Sequence, residues 1–129
     1  MGRGDAAPEP PLAPLTPAVF HILLALVDGQ RHGYGIVQEI DRRSEGTVRM
    51  GPGTLYGSIK RMLADGLIVE TEQRPDPAID DERRRYYRLT DLGHRVATAE
   101  ARRLEQLVRI ARAKHLLPRS QPTSAQGDA

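Results

Sequence analysis

Apolar positions along the 129-residue chain follow the helical period in four segments and alternate in two short ones. Leu15-Thr16-Pro17 opens the first helix: Thr16 caps it, Pro17 brings the preset φ of a first helical position, and Leu15 can staple onto Phe20. Val19, Ile22, Leu23, Leu26 and Val27 form its inner side, and Asp28-Gly29 stops it. A second helix spans about Gly33 to Arg43, with Ile36, Val37 and Ile40 inward and Ser44 to Gly46 ending it. Pro52 starts a third, which Asp65-Gly66 closes. Leu67 to Gln73 then alternates as a half-buried strand, with Leu67, Val69 and Thr71 opposite Ile68, Glu70 and Glu72. Arg74 to Glu82 carries turn chemistry, and Arg84 to Leu89 returns as a second strand with Tyr87 and Leu89 on one face. Thr90 caps a last helix from Asp91 to about Leu117.

Two of these helices have unusual faces. From Gly51 to Ile68, Leu55, Ile59, Met62 and Leu63 make one stripe of the 3.6-residue period, while Gly53, Thr54, Gly57, Lys60 and Arg61 point away from it. The last helix has two stripes: Leu92, Val96, Ala99, Leu107 and Ile110, and, displaced around the axis, Ala97, Ala101, Leu104, Val108 and Ala111. One stripe can serve its own domain and the other a partner.

Composition limits the chain to a single modest, mostly aliphatic core, with 39% hydrophobic and 4% aromatic residues. Residues 1–14 and 118–129, rich in Pro, Ala, Gly, Ser and Gln, read as disordered tails. Residues 15–90 form the first structural unit and residues 91–117 the long final helix. With no cysteine there is no disulfide framework or thiolate metal site. No apolar run approaches the roughly 18 residues of a membrane span, and no signal core precedes the domain, so a cytoplasmic protein is expected. His21, His32, His94 and His115 lack ligand spacing and read as surface or capping residues. No metal, cofactor, phosphate-binding loop or catalytic grouping is expected.

The net charge is only +2, so position matters more than total. Helix, helix, helix, strand, loop, strand is the order of a winged helix-turn-helix, mostly α with a small β-hairpin. In that fold the third helix enters the DNA major groove and the hairpin loop follows the phosphates. An isolated two-faced helix is as well read as plain surface; the preceding helix pair and the following basic hairpin are what turn this one toward double-stranded DNA. Lys60 and Arg61 can neutralise phosphates or donate to guanine, Thr54 and Ser58 can donate to phosphate oxygens, and Tyr56 can offer its hydroxyl. Gly57 admits two explanations, close backbone approach or simple tolerance. Arg83, Arg84 and Arg85 open the returning strand. Because Asp76, Asp80, Asp81 and Glu82 crowd the tip, contact is expected at the base of the wing.

Several segments carry a resemblance: Leu23-Leu24-Ala25-Leu26, His32-Gly33-Tyr34-Gly35-Ile36, Gly51-Pro52-Gly53-Thr54-Leu55-Tyr56, Asp65-Gly66-Leu67-Ile68 and Arg84-Arg85-Tyr86-Tyr87-Arg88-Leu89-Thr90. In this order the chain resembles the PadR family of bacterial transcriptional regulators, in its short form with one C-terminal helix. The resemblance implies a homodimeric repressor in which the C-terminal and first helices build the dimer. It thus gives Leu104, Leu107, Val108 and Ala111 a partner surface. It also implies, for some members, a small phenolic or hydrophobic effector near that interface. The tryptophan pair of multidrug-sensing relatives has no counterpart, since the chain has no Trp. The alternative is a winged-helix protein-interaction module that does not bind DNA.

Overall fold

Three of the four helices begin where a side chain accepts a free backbone N–H. In the computed structural model, which describes residues 15–71 and 85–118, α1 (Pro17–Leu26) starts with Val19 N–H donating to Thr16 Oγ1 at 3.2 Å. The second helix, α2 (Gly33–Arg43), is capped by His32, whose Nδ1 accepts from Gly35 N–H at 2.8 Å. The last, α4 (Asp91–Ala113), is capped by Thr90, which accepts from Gly93 N–H at 3.0 Å. Only α3 (Pro52–Ala64) lacks a side-chain cap; it opens on Gly51 with Pro52 in the first position. It closes with Leu67 N–H donating to the Met62 carbonyl and Gly66 N–H to that of Leu63, a Schellman turn in which Gly66 takes a φ of +79°.

The sheet has three antiparallel strands in the order β1-β3-β2, where β1 is Arg31–His32, β2 Ile68–Thr71 and β3 Tyr86–Leu89. Ile68 faces Leu89 and Thr71 faces Tyr86, while on the other edge Arg31 faces Tyr87 and His32 faces Tyr86. The expected two-stranded hairpin is thus a three-stranded sheet, because the link between α1 and α2 adds a two-residue strand too short to show a period. Among the described residues the expected tails are represented only by Pro118. Glu72, Gln73, the wing tip and the strand start at Arg84 also lie outside them.

Three further expectations are corrected. The first helix stops at Leu26, two residues early, so Val27 becomes its cap residue and is 48% exposed instead of inward. Leu63 lies at the edge of the apolar stripe of α3, about 100° around the axis from the fully buried Met62, and is 36% exposed. The last helix ends at Ala113, not Leu117: Leu116 N–H donates to Ala111 and His115 N–H to Arg112, with His115 at a φ of +66°.

The core gathers Ile22 and Leu23 of α1, Ile36 of α2, Met62 of α3 and Ile68 of β2, all fully buried, with Tyr87 and Val96 closing it. The N-terminus of α4 is pressed onto the entry to β2. A Cβ added at Gly93 would lie 2.0 Å from the Leu67 carbonyl oxygen, which excludes any side chain there. Next to it, Thr90 N–H donates to that same carbonyl at 3.1 Å, and the Thr90 hydroxyl donates to the Gly66 carbonyl at 2.6 Å.

Two carboxylates are buried with the apolar residues. Glu39 of α2 receives Arg43 Nε at 2.7 Å, is hydrogen-bonded by Arg42, and has Arg31 Nη2 at 3.5 Å. Arg31 in turn donates from Nε to the Ala25 carbonyl at 2.7 Å, tying β1 to the last turn of α1. Glu100 of α4 accepts a two-pronged bond from Arg103 at 2.9 and 2.7 Å, and the backbone of Leu15 also donates to it. The Arg43 hydrogen bond, opposed by burial and aided by Arg42, holds Glu39 below the ordinary glutamate range. Arg103 does the same for Glu100, against burial. Depressed folded values mean that this stabilisation is complete above the unfolded glutamate value, about 4.3, and is lost as pH falls through the folded value. Glu39→Gln is therefore expected to cost roughly 1–2 kcal/mol near neutral pH. Its melting temperature should converge on that of the wild type as pH is lowered through the glutamate range, as thermal denaturation across a pH series would show.

Candidate nucleic-acid interface

The core stripe of α3, Leu55, Ile59 and Met62, is buried, and this fixes which side of the helix faces out. Gly53, Thr54, Gly57, Lys60 and Arg61 occupy the opposite, exposed side. Neither Lys60 nor Arg61 has an ion-pair partner among the described residues, in contrast to Arg31, Arg42, Arg43 and Arg103, which all serve buried carboxylates. A Cβ built at Gly51, Gly53 or Gly57 meets nothing within 4 Å. The fold does not require these glycines. Together they leave a strip of bare backbone bordered by two free cations, a surface suited to close approach by an anionic groove.

The remaining expected contacts divide. Ser58 is half-buried on the flank of this face. Tyr56 is half-buried too, packed against the core, and its hydroxyl lies over Gly33, where an added Cβ would come within 2.6 Å of it. Tyr56 thus lies at the contact of α3 with α2. At the hairpin, Arg85 is exposed and pairs loosely with Glu70 across the sheet at 3.6 Å. Arg83 and Arg84 lie outside the described residues. One cation was passed over in the sequence: Arg49 is exposed, makes no ion pair among the described residues, and stands in the turn just before α3. Its place between the two helices of the motif is the signal that finds it.

Along α4, burial stops at Glu100. Leu104 and Ala111 are half-buried, whereas Leu107 is 48% and Val108 37% exposed, with Ile110, Leu116 and Leu117 exposed beside them. Leu24 and Val27 of α1 are likewise uncovered. No described helix is long and apolar enough to cross a membrane.

These features define a winged helix-turn-helix with a long C-terminal helix, the architecture of a DNA-binding regulator. Comparison with known proteins agrees. Residues 22–99 match the transcriptional regulator PadR-like family. The chain is 42% identical over 89 residues to the transcriptional regulator Rv3488 of Mycobacterium tuberculosis, spanning 69% of this chain and 77% of that protein. Its fold is similar to that of a PadR family transcription regulator from Clostridium difficile R20291, with a TM-score of 0.61, 22% identity, and 74% and 95% of the two chains covered. It is also similar to BpsR of Bordetella bronchiseptica, whose DNA binding is regulated by 6-hydroxynicotinic acid, with a TM-score of 0.58, 27% identity, and 78% and 67% covered. The chain belongs to the PadR-like family of transcriptional regulators, a family of regulators and not of enzymes.

Gly57 allows stability and binding to be separated. Because a methyl at this position meets only open space, Gly57→Ala should stabilise the helix by about 1 kcal/mol. If bare backbone is what approaches DNA, the same change should weaken duplex affinity. Denaturant unfolding paired with a binding titration reads the two opposite signs.

Proposed function

We propose that this regulator is a homodimeric repressor that binds a pseudo-palindromic operator, placing α3 of each protomer in the major groove at half-sites about 34 Å apart or a multiple of that distance. The observation that carries the reading is the pair of cations, Lys60 and Arg61, without ion pairs among the described residues, beside the bare glycine backbone of α3. Thr54 and Ser58 supply hydroxyl donors at the same end or flank, and Arg83, Arg84 and Arg85 supply charge at the base of the wing. Every cation that releases a counterion on binding contributes about one unit to the salt slope. Lys60→Ala with Arg61→Ala is therefore expected to lower both affinity and the slope of log affinity against log salt, by about two. Fluorescence anisotropy on duplex DNA at several salt concentrations checks this. Full affinity with an unchanged slope would remove α3 as the reader, and a wild-type chain without salt-dependent duplex binding would favour the protein-interaction module.

The dimer rests on Leu104, Leu107, Val108 and Ala111, the apolar surface that one protomer leaves uncovered on α4, together with Leu24 and Val27 of α1. Burying such a surface against a second copy is favoured by about 25 cal/mol per Å² of apolar area removed from water. Leu107→Asp with Val108→Asp should convert the protein to monomer at micromolar concentration while leaving the helical signal intact, as sedimentation and circular dichroism would show. Release by a small hydrophobic effector is part of the proposal; regulation of DNA binding by a small molecule has a parallel in BpsR and 6-hydroxynicotinic acid. A cleft of about 260 Å³ between α1 and α2, lined by Leu24, Ala25 and Ile40 with His21, Asp28, Glu39 and Arg43, lies just under the roughly 300–1,000 Å³ of drug-sized sites.

A further inference from the structure

The segment His32-Gly33-Tyr34-Gly35-Ile36 has no role in the reading above. Its aromatic residue is conspicuous. Tyr34 is 62% exposed, whereas Phe20, Tyr56 and Tyr86 are half-buried and Tyr87 is buried. The Tyr34 ring is not loose, however. It stacks nearly parallel on His32, with centroids 6.4 Å apart and planes at 11°, within the range of favourable aromatic pairs. His32 is itself held twice, by the cap bond from Gly35 N–H at 2.8 Å and by an edge contact onto Tyr86 with centroids 5.2 Å apart. A phenol is thus held at the surface by a rigid support, and its hydroxyl has no hydrogen-bond partner among the described residues.

Its position gives this arrangement a purpose. Gly33, the preceding residue, lies against the hydroxyl end of Tyr56, the fifth residue of α3, so the start of α2 touches the reading helix. On the other side, His32 leads through Tyr86 to Arg85 at the base of the hairpin. In helix-turn-helix docking the first helix of the motif crosses the DNA backbone while the N-terminal residues of the second reach the base edges. Tyr34 is exposed in the first turn of α2, the segment that touches α3 through Gly33 and β3 through His32.

We infer that Tyr34 is a further DNA contact, its hydroxyl donating to a backbone phosphate and its ring held in place by the His32–Tyr86 stack. The inference rests on the DNA-binding reading of α3. A phosphate contact fixes register and carries no sequence information, and a neutral hydroxyl displaces no counterion. These two properties distinguish it from Lys60 and Arg61 and from a base contact.

The test compares wild type, Tyr34→Phe and Tyr34→Ala on two duplexes, one of mixed sequence and one enriched from a random library by the wild-type protein. Tyr34→Phe is expected to weaken both complexes by roughly five- to tenfold, with the ratio between the duplexes, the salt slope and the melting temperature unchanged. Tyr34→Ala should bind at least as weakly as Tyr34→Phe. Wild-type affinity in Tyr34→Phe overturns the contact, including the case in which only Tyr34→Ala is impaired and the ring alone matters. A changed sequence preference overturns its assignment to phosphate. Absence of salt-dependent binding by the wild type overturns the α3 reading and this inference together, an outcome separate from a binding wild type with an indifferent Tyr34→Phe.

Discussion

The contact between Thr90, Gly93 and the Gly66-Leu67 turn joins every functional part of the molecule. The end of α3 and the beginning of β2 meet there with the end of β3 and the beginning of α4. Thr90 acts three ways: its backbone N–H holds the Leu67 carbonyl, its hydroxyl holds the Gly66 carbonyl, and its oxygen caps α4. Gly93 admits the Leu67 carbonyl so closely that no side chain fits. Hydrogen bonds and backbone contact thus fix where α4 leaves the end of α3, and the packing of Val96 and Ala97 fixes its direction from there. In a dimer built on α4, that geometry sets the distance and inclination between two reading helices.

Much of this was legible because the decisive signals are local. Thr16, Pro17, Pro52, Thr90 and Gly66 act through their immediate neighbours, and their helices start or stop where those residues dictate. The core stripe of α3 was legible for the same reason, since a single periodicity separates Leu55, Ile59 and Met62 from Lys60 and Arg61. What escaped depends on partners distant in sequence. Strand β1 exists only because Tyr86 and Tyr87 lie beside it. Val27 continues an apolar period past the end of α1, and Leu63 lies at the rim of the α3 stripe, turned away from the core that Met62 enters. The contact of Tyr56 on the flank of α3 with Gly33 of α2 is of the same kind, since no spacing within α3 could reveal it.

The buried carboxylates illustrate the limit from the other side. A hydropathy pattern assigns Glu39 and Glu100 to the surface, yet each is covered and neutralised by arginines three or four residues on. The Arg42, Arg43 and Arg103 side chains reach back over their own helices, so a charge that looks solvated along the chain becomes part of the packing. Glu39 and Arg31 brace α2 against α1, and Glu100 anchors the chain at Leu15 onto α4. Several arginines of this modestly charged protein are thereby committed to its own structure. Lys60, Arg61 and Arg49, on or beside the outer side of α3, make no ion pair among the described residues.

The emptiness around the outer side of α3 also bears on how such proteins diverge. Side chains at positions 53, 54, 57, 60 and 61 face away from the core, and the two glycines among them touch nothing. Replacing any of the five leaves the packing of Leu55, Ile59 and Met62 intact, so selection for a folded chain scarcely registers the change. Duplicated copies of this scaffold can therefore drift apart on that side without passing through unstable intermediates.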